Sequence, residues 1–196
     1  MICLFRIYFR CDTMAFKPIW IFVEGSTDKD FCQKVICPLL DGVFDYVKII
    51  EYAQMPLETR RRFVNSIKKQ GDYFYLTDLD ILPCITAKKE TVLDDFKGHL
   101  DNGIMVIVKM EIESWYAAGI NNNTEKQLKM KPFRNTNSLT KEQFNRMIPA
   151  KFDSHIDFMQ EILKGFSKET AIIKNESFGY LMAKITGLID NMEVNK

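Results

Sequence analysis

The sequence predicts an α/β protein with a mostly parallel sheet flanked by helices and a helical C-terminal extension. Short runs of apolar, β-branched and aromatic residues recur along the first 110 residues, and segments with helical periodicity lie between them. Strands that alternate with helices of this length are typical of βαβ units, in which helices cover both faces of a parallel sheet.

Turn residues bound each of the four predicted strands. These strands occupy residues 18–23, 46–52, 73–77 and 104–110. The first and last of them are almost continuously apolar, so we expect both to be central in the sheet.

Two segments between the strands have helical patterns. Residues 28–40 repeat an apolar residue every four positions, which places these residues on one face of a helix. Residues 56–69 begin with Pro56 and end just before Gly71, which are typical start and stop signals of a helix.

The second half of the chain has a different pattern of polar and apolar residues. Residues 121–138 are polar and predict a loop, and helical patterns follow at about 140–147, 153–165 and 168–190. We therefore divide the chain into three parts. They are an N-terminal strand or leader at 1–16, an α/β core at 17–119, and a loop and helical C-terminal extension of the same domain at 120–196.

The N-terminal segment is apolar but is interrupted by Arg6 and Arg10 and has no small-residue cleavage site, so it does not resemble a signal peptide. We expect either an extra edge strand or a leader that precedes a start at Met14.

The composition is that of a globular domain without a strong charge bias. Hydrophobic residues make up 46% of the 196 positions, and 27 Lys and Arg stand against 26 Asp and Glu. Any nucleic-acid contact must therefore come from local basic patches. The five cysteines are scattered and form no CxxC pair, which favours a cytoplasmic location. No apolar stretch approaches the roughly 20 residues of a membrane span, so we expect no membrane partner.

Three of the predicted strand ends carry two acids each. Glu24 and Asp28 follow the first strand, Asp78 and Asp80 follow the third, and Glu111 and Glu113 follow the fourth. Ligands of open α/β sheets collect at the carboxyl ends of strands, so we expect these acids to converge. In the last two pairs the i, i+2 spacing predicts that both side chains point to the same side of an extended chain.

Crowded carboxylates repel one another unless a positive charge lies between them. Oxygen ligands without His or Cys suit Mg²⁺ or Mn²⁺, with substrate phosphate filling the remaining positions. We expect Gly25 to allow a sharp turn that presents Glu24, while Ser26, Thr27 or Asp28 caps the next helix.

The sequence "VEGSTD" at 23–28, followed by "DLD" at 78–80, resembles the Toprim domain of topoisomerases, bacterial primases, small ribosomal-RNA maturases and OLD-type nucleases. The stretch "KMEIESW" at 109–115 resembles the third acidic strand end of the OLD-like branch, especially its small stand-alone members. The resemblance covers roughly residues 17 to 119. It implies a Toprim-like, Rossmann-like sheet and an acidic metal site.

The leading functional hypothesis is a metal-dependent nuclease that hydrolyses DNA or RNA with Mg²⁺ or Mn²⁺. The predicted catalytic residues are Glu24, Asp78, Asp80 and Lys109. The predicted metal ligands are Glu24, Asp28, Asp78, Asp80, Glu111 and Glu113. Glu24 is alternatively a general acid or base.

Each residue also has a purely structural interpretation. Asp28 could cap a helix, the two aspartates of "DLD" could be solvated loop residues, and the two glutamates could begin a helix. Of these glutamates we favour Glu113 as a ligand. Lys109 could neutralise phosphate or carboxylates, or simply extend to solvent. The basic run Arg60–Arg62 is typical of a solvated helix face but could follow a phosphate backbone.

The alternative function is a non-catalytic or degenerate Toprim module that binds metal and nucleic acid or docks on a partner ATPase. The chain has no Walker A sequence and cannot hydrolyse ATP in that way itself. A third hypothesis is that the acids are caps and surface residues of an ordinary α/β protein.

Overall fold

A computed structural model describes residues 16–101, 104–131 and 133–194, except for the side chains of 193 and 194. The described strands form one four-stranded, all-parallel sheet in the order β2-β1-β3-β4. The strands are β1 (Pro18–Val23), β2 (Tyr46–Glu51), β3 (Asp72–Asp78) and β4 (Met105–Val108). Helices flank the sheet and make up the C-terminal segment, which confirms the predicted α/β class.

The helices between the strands are α1 (Ser26–Phe31), a π-helical segment (Cys32–Ile36), α2 (Cys37–Leu40), α3 (Leu57–Ile67) and α4 (Ile85–Phe96). After β4 come α5 (Glu113–Ala118), α6 (Asn122–Leu128), α7 (Lys141–Arg146), α8 (His155–Lys164), α9 (Lys168–Lys174) and α10 (Glu176–Val194). The predicted helix at 28–40 is thus a continuous run of α1, the π-helical segment and α2. The sequence analysis named no helix at the position of α4.

Both faces of β1 are buried, and alternate residues of this strand point to opposite faces of the sheet. Ile21 in β1 belongs to the larger core, which also contains residues of α1, α5, α8 and α10. Its neighbour Phe22 belongs to a second core with residues of α3 and α4. The sheet therefore separates two packed layers, and its carboxyl edge is the line along which they meet.

The expectation that 104–110 is a central strand is wrong, because β4 lies at one end of the described sheet. Its residues are nevertheless all buried. Helices α4 and α10 pack against β4, and just beyond the strand the Lys109 N–H donates to Ser177 Oγ over 3.1 Å. The apolar run therefore indicates a buried strand. Here helices, and not a second neighbouring strand, bury it.

The C-terminal half differs from its prediction in two places. Helix α6 occupies part of the predicted loop, and the predicted helix at 168–190 is broken at Asn175. The Asn175 side chain is fully buried and accepts hydrogen bonds from Ser177 Oγ and the Phe178 N–H. Its amide donates to Ser114 Oγ in α5. Asn175 therefore ends one helix, caps the next and ties both to α5.

The strand or leader predicted for residues 1–16 lies outside the described residues except for Phe16. Among the helices of the described part, none is long and apolar enough to cross a membrane.

Candidate functional site

The acids of the predicted site lie along the carboxyl edge of the sheet. Glu24 directly follows β1, Asp78 is the last residue of β3, and Glu113 begins α5 shortly after β4. Asp28 lies in the first turn of α1, next to Glu24 in space as well as in sequence. The structure thus brings together acids from three strand ends, close enough for their charges to act on one another.

Asp78 is at the centre of this group. Burial, which is the largest cause, and the charges of Asp28, Glu24, Asp80 and Glu113 together raise its pKa to about 9. Its Oδ1 atom is buried and has no hydrogen-bond partner. The backbone cannot easily move away, because Asp78 pairs with Val108 and the next N–H, of Leu79, donates to the Val108 carbonyl. Because one oxygen of the Asp78 carboxyl is buried without a partner and the backbone is fixed, this carboxyl must keep a proton or receive a cation.

Asp28 has the structural role that the sequence allowed, and its role as a metal ligand stays a prediction. It is buried, and its Oδ2 accepts a hydrogen bond of 3.3 Å from the Gly25 N–H at the start of α1. Its pKa is raised to about 6, mainly by burial and further by the charges of Glu24 and Glu113, while backbone hydrogen bonds partly oppose the shift. The residue therefore caps a helix and belongs to the acid group.

Glu24 is half-buried, and its backbone carbonyl accepts from the Ala53 N–H over 3.1 Å. Its charge raises the pKa of both Asp28 and Asp78. The chain bends at Glu24 and Gly25 between β1 and α1, but Gly25 has an extended backbone (φ −144°) that any residue adopts, so the bend does not require a glycine.

A lysine that the sequence analysis did not select lies against the two glutamates. Glu113 is 1% exposed, and its Oε1 is 3.2 Å from Lys141 Nζ in an ion pair without hydrogen-bond geometry. Glu111 Oε2 accepts from the Lys141 N–H over 3.0 Å. Burial lowers the pKa of Lys141, but the charges of Glu113, Glu111 and Asp78 outweigh it and leave this pKa raised. Lys141 is thus a partial counter-charge for one side of the acid group.

The Asp80 side chain contacts a second lysine, Lys88. Asp80 has a left-handed backbone (φ 53°), and its Oδ2 lies 2.5 Å from Lys88 Nζ. The expected same-side arrangement of 78 and 80 fails because the extended chain ends at Asp78. Met110 likewise has a positive φ (63°), and α5 begins at Glu113, so residues 111 and 113 are not on an extended chain either.

Lys109 contacts α10 instead of the acids. Its ammonium pairs with Glu176, and its N–H donates to Ser177 Oγ. Its catalytic role therefore stays a prediction. For Lys141 the sequence offered only a helix-start signal at Thr140 and Gln143, which form a capping box, and nothing that linked it to Glu113.

The acid group has the chemistry of a hard-cation site, although its ligands are not pre-assembled. In the described ranges, no three acid, histidine or cysteine side chains are arranged so that they could hold one metal ion. The donor set consists of carboxylates, and two buried oxygens, Asp78 Oδ1 and Glu113 Oε1, make no hydrogen bond. Oxygen-only donors of this kind fit Mg²⁺ or Mn²⁺.

Comparison with known proteins gives structural neighbours only. No protein-family model and no curated protein matches the sequence. One similar solved structure is the C-terminal region of the Burkholderia pseudomallei OLD protein, with 13% identity, a TM-score of 0.41, and coverage of 89% of this chain and 98% of that chain. Another is the C-terminal region of the Xanthomonas campestris pv. campestris OLD protein, with 16% identity, a TM-score of 0.45, and coverage of 92% and 98%.

Proposed function

We propose that this protein is a nuclease that hydrolyses phosphodiester bonds of DNA or RNA with Mg²⁺ or Mn²⁺ at the carboxyl edge of its sheet. The observation that carries the proposal is the half-buried Asp78 side chain, whose Oδ1 is buried and unpartnered and whose pKa is raised by the charges of four other acids. Proteins rarely bury such a group without a function, because burial of a charge without compensation is costly. We also propose that the protein is located in the cytoplasm.

The chain's residues have distinct roles in this proposal. Asp78 supplies a buried oxygen without a partner, Glu113 supplies a buried oxygen that the metal would share with Lys141, and Glu24 and Asp28 complete the donor set. Asp80 and Glu111 are outer acids, since each already accepts from a lysine side chain or backbone. The bound cation would polarise the phosphate and lower the pKa of a water molecule.

Two groups near the acids can assist the reaction without leaving their places. Half-buried Glu24 reaches both solvent and the acid group, so it can accept a proton from the attacking water. The ammonium of Lys141 can offset negative charge that develops on the phosphate.

The wild-type protein should cleave supercoiled plasmid or a labelled single-stranded oligonucleotide with Mg²⁺ or Mn²⁺, and EDTA should abolish cleavage. Glu24→Ala should reduce the rate by at least about tenfold, because both a ligand and a proton acceptor are removed. Gel assays with DNA and RNA substrates measure both effects. Equal cleavage by wild type and Glu24→Ala, or cleavage that persists in EDTA, contradicts the proposal.

The second candidate is a binding module that docks on a partner, such as an ATPase, and does not cleave. Lys141 favours it, because a lysine that stays on Glu113 would replace the metal as counter-charge. Calorimetry separates the two functions. Mn²⁺ binding without turnover of any nucleic acid, with or without an ATPase partner, would support the module.

Lys141→Met should lower the free energy of unfolding in EDTA by about 1–2 kcal/mol, because Glu113 loses its cationic neighbour while Lys141 is partly exposed. Saturating Mn²⁺ should recover most of this loss if the metal takes over as counter-charge. Urea denaturation with and without Mn²⁺ measures it. In the matched control Lys29→Met, which breaks an exposed pair with Glu51, the change should be smaller than in Lys141→Met and independent of metal. A loss in Lys141→Met that Mn²⁺ leaves unchanged would identify a permanent structural ion pair.

A further inference from the structure

A small pocket lies beside the acid group, on the face of the sheet that α3 and α4 cover. Its volume is about 190 Å³. Its charged lining consists of two cations, Arg60 and Lys88, and three acids, Glu24, Asp80 and Asp95, of which Asp80 is paired with Lys88. Its other polar lining residues are Tyr52, Tyr75, Thr77 and Thr91. Glu24 and Asp80 also belong to the acidic edge, so the pocket and the proposed cleavage site share a wall.

The guanidinium of Arg60 is held firmly in this pocket but leaves donors unused. It lies 5.2 Å from the ring centroid of Tyr52, and Nη1 donates to Tyr75 Oη over 3.4 Å. Arg60 Nε is buried and has no hydrogen-bond partner. Within the described part of the chain, Arg60 forms no ion pair, whereas both neighbouring arginines pair with Glu58.

The rings beneath Arg60 form a rigid support. Tyr52 and Tyr75 are buried and stack with a centroid distance of 4.8 Å and an interplanar angle of 16°. Tyr52 Oη donates to the Leu76 carbonyl over 2.9 Å, which fixes one ring to β3. A guanidinium held on such a support loses little conformational freedom when it binds a ligand.

A second cation faces the same pocket. The Lys88 side chain is only 12% exposed, and its ammonium contacts Asp80 at the shared wall. Lysine carries three donors, so its contact with one carboxylate oxygen leaves others for a ligand. Two cationic heads and a threonine hydroxyl in one small cavity form a set of donors suited to an anion with several acceptor oxygens.

We propose that this pocket is a subsite for a nucleic-acid phosphate, namely the phosphodiester next to the one that lies at the acids. This inference rests on the proposed function and assigns Arg60 and Lys88 as positioning residues. The two cationic heads of Arg60 and Lys88 support a phosphate over a neutral base. An arginine with a merely structural role would ordinarily have its buried Nε satisfied.

Arg60→Gln and Lys88→Gln should each weaken binding of a fluorescein-labelled single-stranded oligonucleotide, measured by anisotropy with Ca²⁺ in place of Mg²⁺. We expect a loss of about tenfold for Arg60→Gln. The slope of log affinity against log salt should fall by about 0.7 for each lost phosphate contact. Arg62→Gln, which removes the same charge from an exposed position of the same helix, should change affinity by less than about twofold.

Several results would overturn the subsite. They are a wild type that binds no DNA or RNA oligonucleotide, equal losses in Arg60→Gln and Arg62→Gln, and a lower affinity with an unchanged salt slope. Thermal unfolding checks the fold, and if Arg60→Gln does not fold, Lys88→Gln and Arg60→Lys decide. Arg60→Lys should keep the salt slope and lose part of the affinity.

Different results would contradict the nuclease proposal and the subsite proposal. A wild type that binds the oligonucleotide through Arg60 but never cleaves it refutes the nuclease and leaves the subsite. A nuclease in which Arg60→Gln has unchanged KM and kcat refutes the subsite alone.

Discussion

Asp78→Asn should lower the rate of Mn²⁺-dependent cleavage by at least about a hundredfold. The substitution keeps the shape of the side chain but removes the charge at the centre of the acid group, whose Oδ1 is free to bind a cation. Loss of a ligand to a catalytic metal removes several kcal/mol of transition-state stabilisation, and each 1.4 kcal/mol corresponds to a factor of ten. Single-turnover cleavage of a labelled oligonucleotide measures the chemical step without contributions from product release.

The matched control is Asp94→Asn, which makes the same chemical change at an exposed position of α4. Its cleavage rate should be within about twofold of wild type. An Asp78→Asn protein that still cleaves at a comparable rate would show that the reaction, if present, takes place elsewhere on the molecule.

Asp78→Asn should also raise the free energy of unfolding of the metal-free protein near pH 8, although it lowers the cleavage rate. The pKa of Asp78 is about 9 in the folded protein, against an ordinary value of 3.8. Between these values the folded state holds a proton that the unfolded state has released. Stability therefore falls as pH rises from about 4 to about 9, by up to about 1.4 kcal/mol per pH unit. Asparagine needs no proton and removes this slope.

Asp28 acts in the same direction over a narrower range, from about pH 4 to about pH 6, so some slope should remain in Asp78→Asn at low pH. Urea denaturation in EDTA from pH 5 to pH 9 measures the profile. Asp94→Asn should follow wild type. If wild type and Asp78→Asn have parallel profiles above pH 6, the Asp78 carboxyl is solvated and the central argument for a metal site is lost.

Local sequence was sufficient for the strands and for the edge of the sheet along which the acids lie. Each strand is a short apolar run between turn residues, and its observed limits lie within two residues of the predicted ones. Since parallel strands end at one edge, the residues after them had to approach one another, as Glu24, Asp78 and Glu113 do.

Other features depend on contacts between distant parts of the chain. The position of β4 in the sheet could not be inferred from its apolarity, because α10 buries it from 68 residues away. Nothing near Lys141 indicates that it meets Glu113, and nothing near Arg60 indicates that its Nε is buried without a hydrogen-bond partner. The direction of Asp80 depends on one left-handed residue, which the "DLD" pattern does not reveal.

The buried Asn175 connects the last helices to the elements that carry the candidate site. Its amide holds Ser114, the neighbour of Glu113, and its cap starts the helix that seals β4. A fragment that stops at residue 119 would expose the apolar side of β4 and leave α5 without this anchor. The segment that looks like an appendage in the sequence therefore belongs to the smallest unit that can hold the carboxylates in place.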